Sequence, residues 1–257
     1  MTKIQPVRGT HDLIGKDLFL YKHIEKIISK IAFDYDFNEI ITPIFEKSEL
    51  FEKPLGQHSD VVLKEMYTFE DRNKSFITLR PEYTTPMIRA AITNNLFNHL
   101  PVKLFGMGPM FRRERPQKGR FRQFNQINFE ILGSSDSFVD AEIIILASEF
   151  LKNLNLDKKV KLYLNSLGDL HTLSQYKKIL SSYFEKYKND LSNESQSKIE
   201  TNPLRILDSK NAKDIIINSE APKVEKYYSI SANKIFDDVK NLLSKTGIIF
   251  ETDNNLV

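Results

Sequence analysis

Apolar and polar positions change period several times along the chain, and each change marks an element. Over residues 17–33 the apolar side chains Leu18, Tyr21, Ile24, Ile27, Ile28 and Ile31 recur at three- and four-residue intervals, which gathers them on one face of a helix. Residues 38–45 read as a strand interrupted by Pro43; proline cannot donate to a ladder and so belongs at an edge or an interface. The polar stretch 46–65 predicts a long loop, and long loops in compact domains often cover a pocket. Two short strands, 67–70 and 75–79, flank the turn Asp71-Arg72-Asn73-Lys74. The second runs straight into Arg80-Pro81-Glu82-Tyr83-Thr84, where Pro81 stops the strand and Thr84 is placed to cap a helix over 85–98.

A strand over 102–110 follows, with Gly106-Met107-Gly108 read as a bend, and it feeds the stretch FRRERPQKGRFRQFNQINFE, residues 111–130. The turn signal Pro116-Gln117-Lys118-Gly119 separates two runs of strand character, so two antiparallel strands joined by a basic loop are expected. Period-2 alternation puts Arg112 and Glu114 on one face of the first strand. It puts Arg122, Phe124, Gln126, Asn128 and Glu130 on one face of the second. The opposite face, Gln123, Asn125, Ile127, Phe129 and Ile131, turns apolar toward its end and can meet a core. Helical spacing returns over 139–154, a helix expected to pack on the sheet, and a strand over 159–165 follows.

After Asn165 the texture changes to helices rich in Lys, Tyr and Ser: 170–191, then a turn-rich connector at 201–211, then two more helical segments ending near Lys245. Residues 248–251 look like a strand re-entering the main sheet. The expected division is a core over 1–165, a helical insertion over 166–245 with only a small core of its own, and a return to the core over 246–257.

Composition narrows the chemistry. Hydrophobic residues make up 40% and charged ones 28% of the 257, as in soluble globular proteins. There is no cysteine, which excludes disulfides, thiolate catalysis and Cys-based zinc sites. The amino-terminal MTKIQPVRGTHD lacks the apolar core of a signal peptide and no apolar run is long enough to span a bilayer, so a cytoplasmic protein with no membrane partner is expected. With nine glycines and no phosphate-loop pattern, any nucleotide must be held by side chains.

The charge is concentrated. Six basic residues, Arg112, Arg113, Arg115, Lys118, Arg120 and Arg122, face one acid, Glu114, within residues 111–122, whereas the whole chain carries only +3. A local knot of guanidinium groups suits phosphate oxygens, which it meets as a bidentate fork. A merely solvated charged hairpin has no need of Phe124, Gln126 and Glu130 in register with the arginines. The arginines therefore suit a polyphosphate and Phe124 a stacked base, while Glu82 and Glu130 suit an ammonium, an imidazole or a small cation. At the strand-to-helix corner Glu82 is equally readable as a helix-capping acid. His11, followed by Asp12, reads as a turn residue rather than a ligand. These residues alone point to a nucleotide and a small amino compound.

The same stretches carry a family resemblance. FRRERPQKGRFRQF resembles motif 2 of class II aminoacyl-tRNA synthetases, in the form found in histidyl-tRNA synthetases. PVRGTHD, the motif 1 region ending in Pro43, KEMYTFEDR (64–72), TLRPEYT (78–84) and TNPLRILDSKN (201–211) agree with it in the right order, over nearly the whole chain. The resemblance implies an α+β fold with an antiparallel sheet of six or seven strands flanked by helices, homodimerisation through the motif 1 region, and a two-step reaction. L-histidine would be activated by ATP to histidyl-adenylate and then transferred to tRNA(His).

Carried over by match, Arg112 would be the catalytic group, bridging the amino-acid carboxylate and the α-phosphate. Glu114, Arg120 and Phe124 would complete the ATP site, with Mg2+ neutralising the triphosphate. Glu82, Thr84 and Gln126 would hold the α-ammonium, and Glu130 would accept from the imidazole. Arg115 and Gln117 would touch the tRNA. Tyr83 stands where many family members have glycine. The family pattern continues past a stretch like Asn254-Asn255-Leu256-Val257 into an Arg-Gly segment, motif 3 and an anticodon-binding domain. That implies a truncated fragment with little aminoacylation activity alone. The competing implication is a histidine-binding regulatory subunit of ATP phosphoribosyltransferase, which has no need of Arg112, Glu114, Arg115, Gln117 and Arg120 together.

Overall fold

The computed structural model describes residues 3–55 and 65–257 of the chain. Residues 56–64, the middle of the stretch expected to cover a pocket, lie outside the described residues, as does Lys64 of the KEMYTFEDR motif. The fold is α+β, and it falls into two units, Met1–Ser135 and Asp136–Val257.

In the first unit, α1 (Gly15–Asp34) buries Ile28, Ile31 and Ala32. The strand read over 38–45 is split, as Pro43 requires, into β1 (Asn38–Glu39) and β2 (Phe45–Lys47). The polar stretch after it is not all loop: α2 (Glu49–Leu55) occupies its start, with Glu49 and Glu52 near the positive end of the helix dipole. The hairpin β3 (Tyr67–Glu70) and β4 (Phe76–Leu79) then leads to α3 (Thr84–Thr93). This helix stops short of the expected Asn98 because Asn95 takes a left-handed φ of 55°, and a single 3-10 turn covers Leu96–Asn98. Strands β5 (Val102–Phe111) and β6 (Gln123–Leu132) form the long antiparallel hairpin.

The described strands do not form one sheet of six or seven. One sheet has the order β1-β5-β6, with β1 parallel to β5; a second, antiparallel, has the order β2-β4-β3. The ladder breaks where Thr42 and Pro43 separate β1 from β2, and Arg80 crosses the gap: its N–H reaches the Ile44 carbonyl at 2.9 Å and its own carbonyl accepts from Phe111 N–H at 3.0 Å. Tyr83, Met87, Ala91, Val102, Leu104 and Met110 form the buried core beneath the hairpin. On its other face Phe129 meets Phe105 and Phe37 at ring distances of 5.6 and 5.0 Å, as the alternation requires.

In the second unit, α4 (Ser137–Asn153), capped by the Asp136 carboxylate, packs against α9 (Ile230–Lys245) through Ala141, Val239 and Leu243. Between them come β7 (Tyr163–Leu164), α5 (Leu170–Lys186), α6 (Asn193–Gln196), α7 (Leu204–Leu207) and α8 (Ala212–Ser219), and after them β8 (Glu251–Thr252). The last strand does not re-enter the main sheet; it pairs in parallel with β7, two residues against two. The connector at 201–211 contains α7, which opens after Pro203 and buries Leu204, Ile206 and Leu207. These three join Tyr176, Leu180, Phe184, Leu191, Ile199 and Val224 in a core of the small satellite kind, each side chain stabilising the fold by about 1.5–3 kcal/mol.

Candidate functional site

The hairpin register decides which side chains meet. Phe124 lies opposite Met110, Gln126 opposite Gly108, Asn128 opposite Gly106 and Glu130 opposite Leu104. One further step along, Arg112 N–H donates to Arg122 O at 2.9 Å, so Arg112 shares a face with Phe124, Gln126, Asn128 and Glu130. The two glycines are not a bend. They lie in mid-strand and leave the space that neighbours fill: a Cβ on Gly106 would come 2.4 Å from the Tyr83 ring, and one on Gly108 2.6 Å from Arg80 Nη2.

The corner between β4 and α3 is held by those same neighbours. Tyr83 is fully buried, its hydroxyl donating to Ile40 O at 3.0 Å. Arg80 is 2% exposed; its Nε donates to Pro109 O at 3.0 Å and its Nη1 to Thr42 O and Oγ1 at 2.9 and 3.0 Å. Its guanidinium also lies 4.4 Å over the Tyr83 ring. Burying a guanidinium is tolerated only where such acceptors converge. Arg80 thus ties the corner bearing Glu82 and Thr84 to β5.

Around this frame the expected residues fall into three groups. Arg112 Nε donates to Pro81 O at 2.9 Å and its guanidinium lies 5.1 Å from the Phe124 ring centre, a cation–π pair that fixes both side chains. Thr84 does not cap α3. Its hydroxyl instead donates to Glu130 Oε1 at 2.6 Å, and Glu82 takes the capping role, its carboxylate accepting from Thr85 N–H at 3.0 and 3.3 Å. Asn128 joins the second group: its Nδ2 donates to Glu130 Oε1 at 2.7 Å and Thr84 Oγ1 at 3.2 Å, while its Oδ1 accepts from Gln126 Nε2 at 3.3 Å. Gln126 Oε1 is buried and has no hydrogen-bond partner among the described residues.

The third group is the loop. Gln117 and Arg120 close its turn by a bridge, and Arg120 pairs with Glu114 at 3.4 Å. Glu65, Arg113, Glu114, Arg115, Gln117 and Arg120 line a cleft of about 250 Å³. Its guanidinium-rich wall can take phosphate oxygens. Among the described residues no group of three or more His, Asp or Glu is placed to hold a metal ion, so a divalent ion here would take ligands from phosphate oxygens. Among the described residues, no helix is long and apolar enough to cross a membrane.

Sequence reading placed Asn128 on this face without giving it a role, although its register between Gln126 and Glu130 was the available signal. Arg80 carried no such signal, since nothing local marks a charged side chain as buried.

Comparisons with known proteins extend over nearly the whole chain. A family profile described as histidyl-tRNA synthetase matches residues 9–213. The histidine–tRNA ligase of Wolbachia pipientis subsp. Culex pipiens (strain wPip) is 49% identical over 253 residues, which is 98% of this chain and 62% of that protein. That of Orientia tsutsugamushi (strain Boryong) is 46% identical over 256 residues, 99% of this chain and 60% of that protein. The apo histidyl-tRNA synthetase of S. aureus superposes with a TM-score of 0.78 at 31% identity, covering 99% of this chain and 58% of that one. The chain spans about 60% of the length of the curated relatives it matches.

Proposed function

This chain belongs to the histidyl-tRNA synthetase family, and from that premise we propose that it serves the ATP-dependent activation of L-histidine and its transfer to tRNA(His). The observation that carries the reading is one hairpin face on which an anchored Arg112–Phe124 pair adjoins a carboxylate network ending in an unpartnered acceptor, Gln126 Oε1.

Each part has a task in that reaction. The histidine carboxylate attacks the α-phosphate of ATP and pyrophosphate leaves. Arg112, held by Pro81 O through Nε, keeps its other nitrogens for the carboxylate and the α-phosphate, where charge develops in the transition state. Phe124 stacks on the adenine, Glu114 meets its edge, and Arg120 holds the distal phosphates, with Mg2+ brought in on the triphosphate. Gln126 Oε1 and the Glu82 carboxylate accept from the α-ammonium. Thr84 reaches it only by exchanging the bond it now accepts from Asn128. Glu130 accepts from the imidazole N–H, so an apolar analogue would leave the acid unpaired, the arrangement that discriminates most strongly. In the second step the terminal ribose hydroxyl attacks the adenylate, with Arg115 and Gln117 on the tRNA.

Ile41, Ile44 and Phe45, exposed on either side of Pro43, support homodimerisation through this region. We place the protein in the cytoplasm and assign residues 1–165 to the catalytic core and 166–245 to an insertion. Two measurements test the reading: calorimetric titration of the chain with L-histidine, and histidine-dependent exchange of pyrophosphate into ATP by the protein. Saturable histidine binding that Glu130→Gln weakens is expected; a chain that takes up ATP but not histidine overturns it.

A further inference from the structure

Asn128 is the side chain of the site face that hydrogen-bonds three of the residues read as ligands for the amino acid, Thr84, Gln126 and Glu130. Its amide can be oriented in one way only. With Nδ2 toward Glu130 Oε1 at 2.7 Å and Thr84 Oγ1 at 3.2 Å, every contact pairs a donor with an acceptor. Turned over, the amide oxygen would face a carboxylate oxygen at that same short distance, acceptor against anion. The orientation then propagates. Oδ1 faces Gln126 and can only accept, so Gln126 presents Nε2 to it at 3.3 Å and turns Oε1 the other way, where it is buried and unpartnered. On the other side Glu130 Oε1 is filled twice, by Thr84 and Asn128, which leaves Oε2 for anything new.

We infer that Asn128 is a positioning residue that sets the polarity of the pocket, holding Gln126 and Glu130 so that both offer acceptor oxygens to a ligand carrying two separate N–H donors. This rests on the reading of the site as a histidine pocket and deepens it. A glutamine side chain left to rotate offers its NH2 as readily as its oxygen, and an ammonium then meets a donor in part of the population. Asn128 removes that ambiguity without touching the substrate.

The test compares Asn128→Asp and Asn128→Ser by calorimetric titration with L-histidine and, separately, with ATP, together with melting temperature. Asn128→Asp sets a second carboxylate against Glu130 and strips it of one donor. Histidine affinity is expected to fall about 100-fold, with ATP affinity within about threefold of the parent. Asn128→Ser keeps the fold but orients neither neighbour, and histidine binding is expected to weaken by roughly tenfold. A fall in histidine affinity without a matching fall in ATP affinity or in melting temperature in Asn128→Ser is a split that a merely structural role does not give. If the parent chain binds histidine and both single variants bind it equally well, the inference falls and the pocket reading stands. If the parent binds no histidine, both fall. Equal loss of histidine and ATP binding in Asn128→Ser at an unchanged melting temperature also overturns the positioning role.

Discussion

Two polar clusters in this protein are each built around a carboxylate and differ in burial and in closure. In the satellite core of the second unit, Asp214 is fully buried and its carboxylate accepts from Ser192 N–H at 2.8 Å and from the hydroxyls of Ser192, Ser195 and Ser209 at 2.7, 2.6 and 2.6 Å. Burial alone would raise its carboxyl, but those four hydrogen bonds prevail and leave it below the usual carboxylate value. On the hairpin face Glu130 also accepts from a hydroxyl and an N–H, but it is only half-buried and its network ends in the orphaned Gln126 oxygen. A buried network with every member paired holds a fold together; the open acceptor on the hairpin face is the one that adjoins the residues proposed to bind the amino acid.

Replacing each acid by its amide sharpens that contrast. Asp214→Asn puts an NH2 among three hydroxyls and a backbone N–H and is expected to cost about 3 kcal/mol, a drop of roughly 10 °C in melting temperature. Thermal unfolding followed by circular dichroism measures it, and histidine affinity should be unchanged in the protein that remains folded. Glu130→Gln is expected to give the opposite pattern. Its amide oxygen still accepts from Thr84 and Asn128, so stability stays within about 1 kcal/mol, while loss of the charge weakens histidine binding about 100-fold, or about 2.7 kcal/mol, by calorimetry. A Glu130→Gln protein that loses stability and keeps its affinity would erase the distinction.

Which parts of this were legible in the sequence follows from how local each cause is. The site face was legible because strict alternation from Arg122 to Glu130, with a turn at Pro116 to Gly119, fixes side-chain direction residue by residue. Helix α1 was legible through its spacing. The pairing of β7 with β8 was not, since two residues carry no periodicity and their partner is nearly ninety positions away. Helix α7 was hidden because Asn202 and Pro203 announce a turn, while the burial of Leu204, Ile206 and Leu207 is decided by helices elsewhere in the chain. Gly106 and Gly108 were misread for a related reason: what they make room for, Tyr83 and Arg80, lies in another element. Thr84 does not cap because its hydroxyl finds a carboxylate 46 residues away, a competition no local pattern records, whereas Glu82 fills the capping role that was one of its two local readings.

The second unit also carries an acid-sensitive clasp. Asp169 accepts from Ser229 Oγ and from Thr172 N–H, which hold its carboxyl down to about 2, and Ser229 in turn caps α9. A pKa depressed on folding contributes stability that is complete above the unfolded value, about 3.9, and is lost as pH falls through the folded one. Acidification from about pH 4 toward about pH 2 should therefore lower the melting temperature of the parent more than that of Asp169→Asn, the gap between them closing at the acid end. A gap that stays constant over that range would show the clasp contributes nothing through ionisation.

The smallest effect is expected where an ion pair is most visible. Arg120 and Glu114 lie 3.4 Å apart, but the arginine side chain is 64% exposed, and pairs of that kind contribute about 0–1 kcal/mol. Arg120→Gln should accordingly leave melting temperature almost unmoved. Its consequence belongs to the proposed ligand: with the guanidinium gone the cleft wall loses a positive charge, and if that wall takes the distal phosphates as proposed, ATP affinity is expected to fall roughly tenfold at low salt and less at high salt, as screening shortens the reach of the charge. Calorimetric titration with ATP at two ionic strengths reads both quantities. The hairpin thereby resembles its own carboxylate network on a larger scale, because a charge that contributes little to holding the chain together is free to act on what the chain binds.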